Sequence, residues 1–113
     1  MLSKQQAIFA KNLAKLILKI NEDGNFCTMG EAYRTPEQAA LYEKQGKGIA
    51  KSLHCARLAC DLNLFSPDFK YQTSKKFYQP YGEYWESLHV QNRWGGRWTK
   101  LVDSNHFEMA VVD

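Results

Sequence analysis

Apolar side chains recur at helical spacing in the first part of the chain. The pattern predicts a helix from about Lys4 to Asn21, with lysines on its wetter side. Its apolar positions are Ala7, Ala10, Leu13, Ala14, Ile17 and Leu18. A basic amphipathic helix can pack on a protein core or anchor to a membrane surface, and core packing is the commoner use.

Two shorter elements are predicted next. The mixed segment from Phe26 to Tyr33 predicts a strand. Thr35 is a good helix cap, Pro36 suits the first helical position, and Gln38 completes a capping box. These signals predict a second helix that runs to about Gln45.

The second half of the chain begins with a strand pattern. From Ala56 to Phe65 apolar and polar residues alternate, which predicts a strand that carries Asp61 on its less apolar face. The polar segment from Ser66 to Gln79 is predicted to be a loop. The remaining signals predict a third helix around Tyr81, Tyr84, Trp85 and Leu88, its end at Trp94-Gly95-Gly96, and a last strand from His106 to Val112.

Length and composition indicate one ordinary globular domain. The chain has 113 residues, of which 44% are hydrophobic and 24% charged, and we expect a single domain over residues 1–113. No apolar run approaches the ~20 residues that span a bilayer, and no signal peptide is recognisable. We therefore expect no stable membrane insertion and synthesis in the cytoplasm.

Charge and cysteine content narrow the function classes. Lys and Arg exceed Asp and Glu by 15 to 12, and the scattered basic residues do not favour a nucleic-acid partner. Cys27, Cys55 and Cys60 make an odd count with no CxxC pair, which favours reduced thiols over disulfides or a zinc ribbon.

Three residues of types suited to metal binding lie on or directly beside the predicted strands. His54 precedes the alternating strand, Asp61 lies within it, and His106 opens the last strand. Two imidazoles and one carboxylate can bind Zn²⁺ with a fourth position left for water. Spacing alone does not bring the three residues together, but it allows them to converge if the two strands are neighbours.

A metal-dependent hydrolase also needs a base and a cation near the ion. Asp103, three residues before His106, is a candidate base, and Arg34 offers a planar fork for a developing oxyanion or a substrate carboxylate. Each signal also has an ordinary structural explanation. A single histidine is commonly structural or exposed, Asp caps turns, Arg34 could lie on the surface, and the Gly pair could simply stop a helix.

The order of these residues resembles a known family. Ser52 to Asp61 is similar to the SxHxxGxAxD signature of the zinc-dependent D-alanyl-D-alanine carboxypeptidase and L-alanyl-D-glutamate endopeptidase family. Tyr33 to Gln38 resembles its YR[ST]xxQ segment. Trp94 to Trp98 and Asp103 to Glu108 resemble its WGGxW and [DE]xxHFE elements, and all blocks stand in family order.

The resemblance implies a role for each matching residue. His54, Asp61 and His106 match the zinc ligands, and Asp103 matches the catalytic acid/base. The arginine that assists substrate binding or transition-state stabilisation corresponds to Arg34. Ser52 matches the motif serine, which contacts substrate or supports a ligand. The implied fold is α+β, a small, mostly antiparallel sheet with about three helices.

Two positions, Arg57 and Glu108, each have more than one possible role. Arg57 stands where the family motif has glycine, so it could crowd the site, alter its loop or contact an anionic substrate. Glu108 lies two residues beyond His106, where it either orients an imidazole N–H or is an ordinary strand residue. We interpret His89, which has no counterpart in the motifs, as structural.

The resemblance leads to three functional hypotheses. The first is a zinc peptidase of peptidoglycan stem peptides, an L-alanyl-D-glutamate endopeptidase of the phage endolysin branch. Such an enzyme would act as a monomer at the bacterial wall, released by a holin-type partner. The alternatives are a D,D-carboxypeptidase that removes terminal D-Ala and a non-catalytic, zinc-stabilised wall-binding module.

Overall fold

A five-stranded antiparallel sheet and three helices make up the computed structural model, which describes residues 1–49 and 51–112. The helices are α1 (Leu2–Glu22), α2 (Pro36–Lys44) and α3 (Lys75–Leu88). The strands are β1 (Phe26–Met29), β2 (Ala59–Phe65), β3 (Tyr71–Gln72), β4 (Asn92–Trp94) and β5 (His106–Met109). Short 3-10 helices cover Leu53–Ala56 and Gly95–Arg97. The expected α+β fold is confirmed.

The sheet brings the two predicted site strands together. Its order is β1-β2-β5-β4, and β3 pairs with the end of β2. In the antiparallel pair of β2 and β5, Asp61 lies directly opposite His106. The neighbour relation that the candidate metal site requires is therefore present.

The two faces of the sheet have different surroundings. One face packs against α1 and α3, and its side chains are fully buried: Cys60, Leu62, Leu64, Phe107 and Met109. Residues directly opposite in an antiparallel pair project to the same face, and neighbours along a strand project to opposite faces. The other face, here called the open face, therefore carries Asp61, Asn63 and Phe65 of β2 with His106 and Glu108 of β5.

Helix α1 packs on the core with a different stripe from the expected one. Phe9, Leu16 and Ile20 are buried in the core, whereas Leu18 is 58% exposed. The large side chains bury more apolar area than the alanines, so they set which face turns inward. The buried stripe accounts for the helix as a core element. None of the described helices combines the length and apolar character needed to cross a membrane.

The predicted start of α2 at Thr35 and Pro36 is confirmed. Thr35 caps the helix, because its Oγ1 accepts a hydrogen bond from the Gln38 N–H at 3.1 Å. Pro36 occupies the first helical position, and the helix ends at Lys44. The cap matters for function because it fixes the chain immediately after Arg34.

The predicted loop from Ser66 to Gln79 is wrong. It contains β3 and the start of α3, where Ser74 Oγ accepts from the Phe77 N–H at 3.2 Å. The polar residues of this turn lie outside while Tyr78 is buried. Polar composition therefore marked an exposed helix face rather than a loop.

Several predicted boundaries also differ. Helix α3 ends at Leu88, with His89 as its C-cap, and Trp94-Gly95-Gly96 does not end it, because Trp94 closes β4. The His89 Nδ1 accepts from the Gln91 N–H at 3.0 Å, a local structural contact. Strands β1 and β5 end before Tyr33 and Val112, and β2 begins later than Ala56, which belongs to a 3-10 helix.

Candidate metal centre

Three side chains from separate elements converge at one end of the open face. Asp61 Oδ1 lies 3.4 Å from His54 Nε2 and 3.1 Å from His106 Nδ1. One potential ligand atom from each residue lies within 4.8 Å of the other two. Both histidine residues are at least 95% buried. Atoms bound to one tetrahedral zinc are about 3–4 Å apart, so these separations suit a shared ion.

His54 is positioned by a cap and a turn. Ser52 Oγ accepts from the His54 N–H at 3.1 Å and begins the 3-10 helix. The helix ends at Arg57 in the left-handed conformation (φ 56°, ψ 36°). The turn lets Leu58 donate to the Leu53 carbonyl at 3.0 Å and leads the chain into β2. His54 is thereby held beside Asp61, although seven residues separate them.

The outer nitrogen of each imidazole faces an acceptor. His54 Nδ1 lies 3.2 Å from the Ala32 carbonyl, and His106 Nε2 lies 2.8 Å from Glu108 Oε1. Donation of the N–H to these acceptors leaves the His54 Nε2 and His106 Nδ1 lone pairs directed at Asp61. Three electron-rich atoms that face one another repel unless a cation or a proton lies between them. The donor set therefore fits a divalent metal with two nitrogen ligands and one oxygen ligand.

The close approach of these side chains shifts the pKa values of His106 and Asp61 in opposite directions. Burial would lower the pKa of His106, but hydrogen bonds with Asp61 and Glu108 raise it to about 9. Burial would raise the pKa of Asp61, but hydrogen bonds with His106 and His54 lower it to about 2. In the metal-free chain a proton on His106 therefore balances the charge of the Asp61 carboxylate at neutral pH, and a metal that binds the cluster must displace this proton.

Glu108 faces the site and is not an ordinary exposed strand residue. Its side chain is 7% exposed, and its Oε2 accepts from Arg93 Nε at 2.8 Å. The Arg93 cation and the His106 N–H together hold the Glu108 carboxylate in place. Glu108 in turn fixes the ring orientation of His106.

Asp103 lies at the edge of the cluster. Its Oδ2 is 3.9 Å from His106 Nδ1, and its side chain is 45% exposed. Partial burial and the nearby Asp61 charge raise the pKa of Asp103. A partly exposed carboxyl group near the ligand atoms, with a raised pKa, has the properties of a general base.

Gly95 makes the approach of Asp103 possible. The Gly95 carbonyl accepts from the Asp103 N–H at 3.1 Å, and the Asp103 carbonyl accepts from the His106 N–H at 3.1 Å. A Cβ at position 95 would lie 2.3 Å from the Asp103 carbonyl oxygen and 3.0 Å from the His106 Cβ. The first glycine of the WGG run therefore provides space for the site rather than a helix stop.

Arg34 lies across the cleft on the segment before α2. Its Nε donates to Glu31 Oε1 at 2.7 Å, and a second guanidinium nitrogen, Nη2, contacts the same oxygen. Its Nη1 donates to Ser52 Oγ at 3.3 Å, and the guanidinium lies over the Tyr42 ring at 4.9 Å. Arg34 is therefore a fixed cation rather than a freely moving surface residue.

A cavity of about 710 Å³ joins these groups. Its lining includes Arg34, Ser52, His54, Trp98, Asp103 and His106. The Trp98 ring lies 5.0 Å from the His106 ring and forms part of the wall. The cavity can hold an extended substrate with the metal-ligand cluster on one side and the Arg34 cation within reach.

Arg57 does not crowd this cavity. Its guanidinium lies 4.1 Å from the centre of the Tyr33 ring, and its side chain is exposed outside the cavity lining. Its backbone has the left-handed φ that glycine adopts without strain. Arg57 therefore preserves the turn that a motif glycine would make.

Sequence patterns did not identify every residue that supports the site. Glu31 and Tyr42 hold Arg34, Arg93 holds Glu108, and Trp98 was noted only as part of a motif. The spacing of Glu31 three residues before Arg34 was an available local signal. The pairing of Arg93 with Glu108 follows only from the register of β4 and β5.

Comparison with known proteins gives one family match and two informative structural matches. Residues 45–109, more than half of the chain, match the family described as D-alanyl-D-alanine carboxypeptidase. No curated protein matches the chain.

Solved structures with the same fold include two peptidases. The Serratia marcescens L-Ala D-Glu endopeptidase ChiX is 19% identical with a TM-score of 0.63, covering 75% of this chain and 67% of its own. The vancomycin resistance D,D-pentapeptidase VanY, from a VanB-type resistance cassette, was solved as a mutant in complex with Zn(II). It is 18% identical with a TM-score of 0.59, covering 89% of this chain and 70% of its own.

Proposed function

Because the chain belongs to the D-alanyl-D-alanine carboxypeptidase family, it is a peptidase, and we propose that it cuts peptidoglycan stem peptides as a zinc-dependent L-alanyl-D-glutamate endopeptidase. The observation that carries the zinc part is the convergence of potential ligand atoms of His54, Asp61 and His106, with the outer nitrogen of each imidazole facing a hydrogen-bond acceptor. We assign these three residues as the zinc ligands. Zinc bound there would supply a Lewis acid that polarises a carbonyl and makes water more acidic.

Asp103 is the proton carrier in this mechanism. Its Oδ2 lies beside the ligand atoms, on a side chain that water and substrate can reach. Asp103 accepts a proton from the attacking water and returns it to the nitrogen of the leaving amine. The raised pKa of Asp103 brings its proton affinity closer to the level that this transfer needs.

Arg34 binds negative charge on the substrate. Glu31 and Ser52 hold the guanidinium, and the ring of Tyr42 supports its flat face. A fixed, planar cation stabilises a substrate carboxylate or a developing oxyanion without further ordering. Ser52 contributes by holding both Arg34 and the His54 backbone.

The choice of bond is proposed from the similarity to ChiX, which is itself an L-Ala D-Glu endopeptidase. A D,D-carboxypeptidase is the second candidate, supported by the description of the family and by the similarity to VanY. A non-catalytic wall-binding module is less well supported, because a structural zinc site has no use for a free carboxylate such as Asp103.

The biological setting is a further part of the proposal. We propose a monomeric phage or prophage lysin whose catalytic domain spans residues 1–113 and which reaches the wall with a holin-type partner. Co-expression with a membrane-permeabilising protein should cause lysis of the host, whereas expression alone should not. Lysis that is equally fast without the partner would contradict this release route.

The activity is tested on purified peptidoglycan with the wild type and with Asp103→Ala. We expect the variant to release soluble muropeptides about 10²–10⁴-fold more slowly, because the proton carrier is lost. Glu86→Ala, which removes a carboxylate that pairs with Arg97 away from the site, is the matched control and should retain activity. Equal product release by the wild type and Asp103→Ala would refute the assigned base.

Mass spectrometry of the same products identifies the bond. A cut between L-Ala and D-Glu supports the endopeptidase, whereas loss of a terminal alanine supports the carboxypeptidase. Zinc bound without any product would support the wall-binding alternative.

A further inference from the structure

Four aromatic side chains, three of them exposed and one half-buried, form a cluster at the far end of the open face. This aromatic platform consists of Phe26, Phe65, Phe69 and Tyr71. Phe65 and Phe69 stack with ring centres 4.6 Å apart and an interplanar angle of 12°, and Tyr71 lies 5.4 Å from Phe65. Phe26 completes the cluster at 5.7 Å from Phe69. Phe26, Phe69 and Tyr71 are 42%, 60% and 56% exposed.

The platform is an ordered feature of the fold. Phe65 lies opposite Phe26 of β1 and Tyr71 of β3, so strand register places three of the rings on one face. Phe69 has a left-handed φ of 60°, in a turn closed by a hydrogen bond from its N–H to the Ser66 carbonyl at 2.8 Å. A bulky residue in this conformation is strained, yet here it stacks its ring on Phe65. Exposed aromatic clusters of this kind mark binding surfaces more often than isolated exposed residues do.

The platform is continuous with the candidate metal centre. Asp61, Asn63 and Phe65 alternate on the open side of β2, and the four residue-to-residue steps from Asp61 to Phe65 span about 13 Å. Between them, Asn105 Nδ2 donates to Asn63 Oδ1 at 3.1 Å, and Thr28 lies opposite Asn63 on β1. A ligand that extends from the metal centre along β2 therefore meets polar side chains first and aromatic rings next.

We propose that the aromatic platform binds the sugar rings of the peptidoglycan glycan strand while its attached peptide occupies the cavity. The proposal rests on the proposed peptidase function. The C–H faces of a pyranose ring carry partial positive charge, and the faces of aromatic rings carry partial negative charge, so the two stack favourably in water. Asn63 and Thr28 offer hydrogen-bonding groups to the hydroxyl and acetamido substituents of amino sugars.

The charges around the platform favour a glycan over a membrane surface. Asp68 and Lys70 flank Phe69 and form an ion pair at 3.4 Å, which leaves this rim without an excess of positive charge. Surface helices and patches that bind anionic lipids surround their apolar groups with several cations. A neutral, hydrogen-bonding rim around stacked rings suits an uncharged saccharide face.

The length of the open face also favours cleavage close to the sugar. In peptidoglycan a lactyl group joins the sugar to L-Ala, so the L-Ala to D-Glu bond lies about 7 Å from the sugar in an extended chain. A bond between terminal alanines lies three residues farther, about 10 Å more. The distance of about 13 Å between Asp61 and Phe65, which includes the width of a sugar ring, matches the nearer bond better.

The test compares two substrates that share one peptide. One is a disaccharide muropeptide, and the other is the free stem peptide from which an amidase has removed the sugars. We expect the wild type to have about tenfold higher kcat/KM on the disaccharide substrate, and Phe69→Ala/Tyr71→Ala to reduce this ratio to about one. Val90→Ala, at an 88% exposed apolar position outside the platform, should keep the wild-type ratio.

A binding measurement separates the platform from the peptidase proposal. Peptide-free glycan strands should bind the full wild-type chain in calorimetry, with about tenfold weaker binding by Phe69→Ala/Tyr71→Ala. Glycan binding without cleavage of either substrate would leave the platform supported and contradict the peptidase function.

Three outcomes would overturn the platform proposal. The first is a substrate ratio of one for the wild type together with no glycan binding. The second is a wild-type dimer in sedimentation that the double variant converts to a monomer, since the rings would then bind a second copy. The third is platform-dependent binding to anionic phospholipid vesicles with none to glycan.

Discussion

At the scale of single residues, Arg57 shows how a side chain can occupy a position suited to glycine. Its left-handed backbone ends the 3-10 helix that presents His54, while its guanidinium stacks on Tyr33 outside the cavity. A β-carbon in this conformation costs on the order of 1 kcal/mol. The stacking contact offsets part of that cost, so the motif tolerates Arg without losing the turn.

A pair of substitutions separates the backbone strain at Arg57 from its contact. Arg57→Gly and Arg57→Ala both remove the stacking on Tyr33, but only alanine keeps a β-carbon at φ 56°. We expect the glycine variant to have a free energy of unfolding about 1 kcal/mol higher than the alanine variant. Urea denaturation measures the difference, and an alanine variant as stable as the glycine variant would contradict the strain argument.

Glu108 contacts His106, one of the proposed zinc ligands, at the same scale. Glu108→Gln keeps a hydrogen-bond acceptor for His106 Nε2 but removes the negative charge that makes the imidazole a stronger donor to a metal. We expect zinc affinity to fall about 10-fold or more in competition with a chromophoric chelator. Glu86→Gln, which changes a carboxylate paired with Arg97, is the matched control. An equal loss of zinc affinity in both variants would show that Glu108 does not support the proposed zinc site.

At the scale of elements, the WGG segment links the core to the site. Trp94 is buried, and β-carbons at Gly82 or Gly96 would each lie 2.1 Å from its ring. Gly95 lies between Trp94 and Gly96 in the sequence. A Cβ at Gly95 would point at the Asp103 carbonyl rather than at the Trp94 ring, so the glycine leaves room for Asp103. One short segment therefore fixes a core side chain and the loop that carries Asp103 at the same time.

Gly95→Ala should displace the loop that carries Asp103, the proposed base, more than it disturbs the fold. The new Cβ would meet the Asp103 carbonyl at 2.3 Å, so the loop must move away from the ligands. We expect kcat/KM to fall about 10²-fold, the lower range for loss of a positioned acid or base, while the circular dichroism spectrum is retained. Val90→Ala is the control, because Val90 is 88% exposed and lies outside the cavity lining. Similar activity in both variants would show that the loop tolerates a Cβ at position 95 without moving Asp103.

Local signals explain which elements could be predicted from sequence. Thr35 and Pro36 act within a few residues of each other, so the start of α2 was predictable, and alternation in β2 placed Asp61 on the correct face. The two residues of β3 are too few to show periodicity. The start of α3 was missed because its exposed side is polar.

The residues of the candidate site that belong to sequence motifs could be predicted from the sequence. The convergence of His54, Asp61 and His106 was expected and is present, while their function as ligands stays a proposal. The contact of Arg93 with Glu108 depends on the pairing of β4 with β5, which no local pattern specifies. Long-range register is therefore the part of the site that sequence patterns alone did not provide.

At the scale of the whole molecule, the sheet separates the hydrophobic core on one face from the candidate site on the open face. α1 and α3 cover the core side, and the candidate centre, cavity and aromatic platform lie on the open face. The metal centre joins β2, β5 and the 3-10 helix, so an ion there would connect parts of the chain more than fifty residues apart in sequence. Its binding should stabilise the entire fold.

Removal of the metal should lower the melting temperature. A ligand present at 1,000 times its Kd adds about 4 kcal/mol to stability, which corresponds to a shift of roughly 15–20 °C for a domain of this size. We expect the zinc-loaded chain to lose this increment in a chelator and regain it with added zinc. His54→Ala should show little dependence on zinc in the same calorimetric scans, and an equal shift in both proteins would argue against the assigned ligands.

The alternation along β2 restricts how this strand can change its length. Inserting one residue between Asp61 and Phe65 would turn Phe65 towards the hydrophobic interior and push a leucine into water. Inserting two residues would keep both faces and only lengthen the path from the cluster to the rings, by about 7 Å. Tolerated insertions or deletions in this strand should therefore involve two residues at a time. The distance between the metal-ligand cluster and the aromatic rings can then change only in steps of about 7 Å.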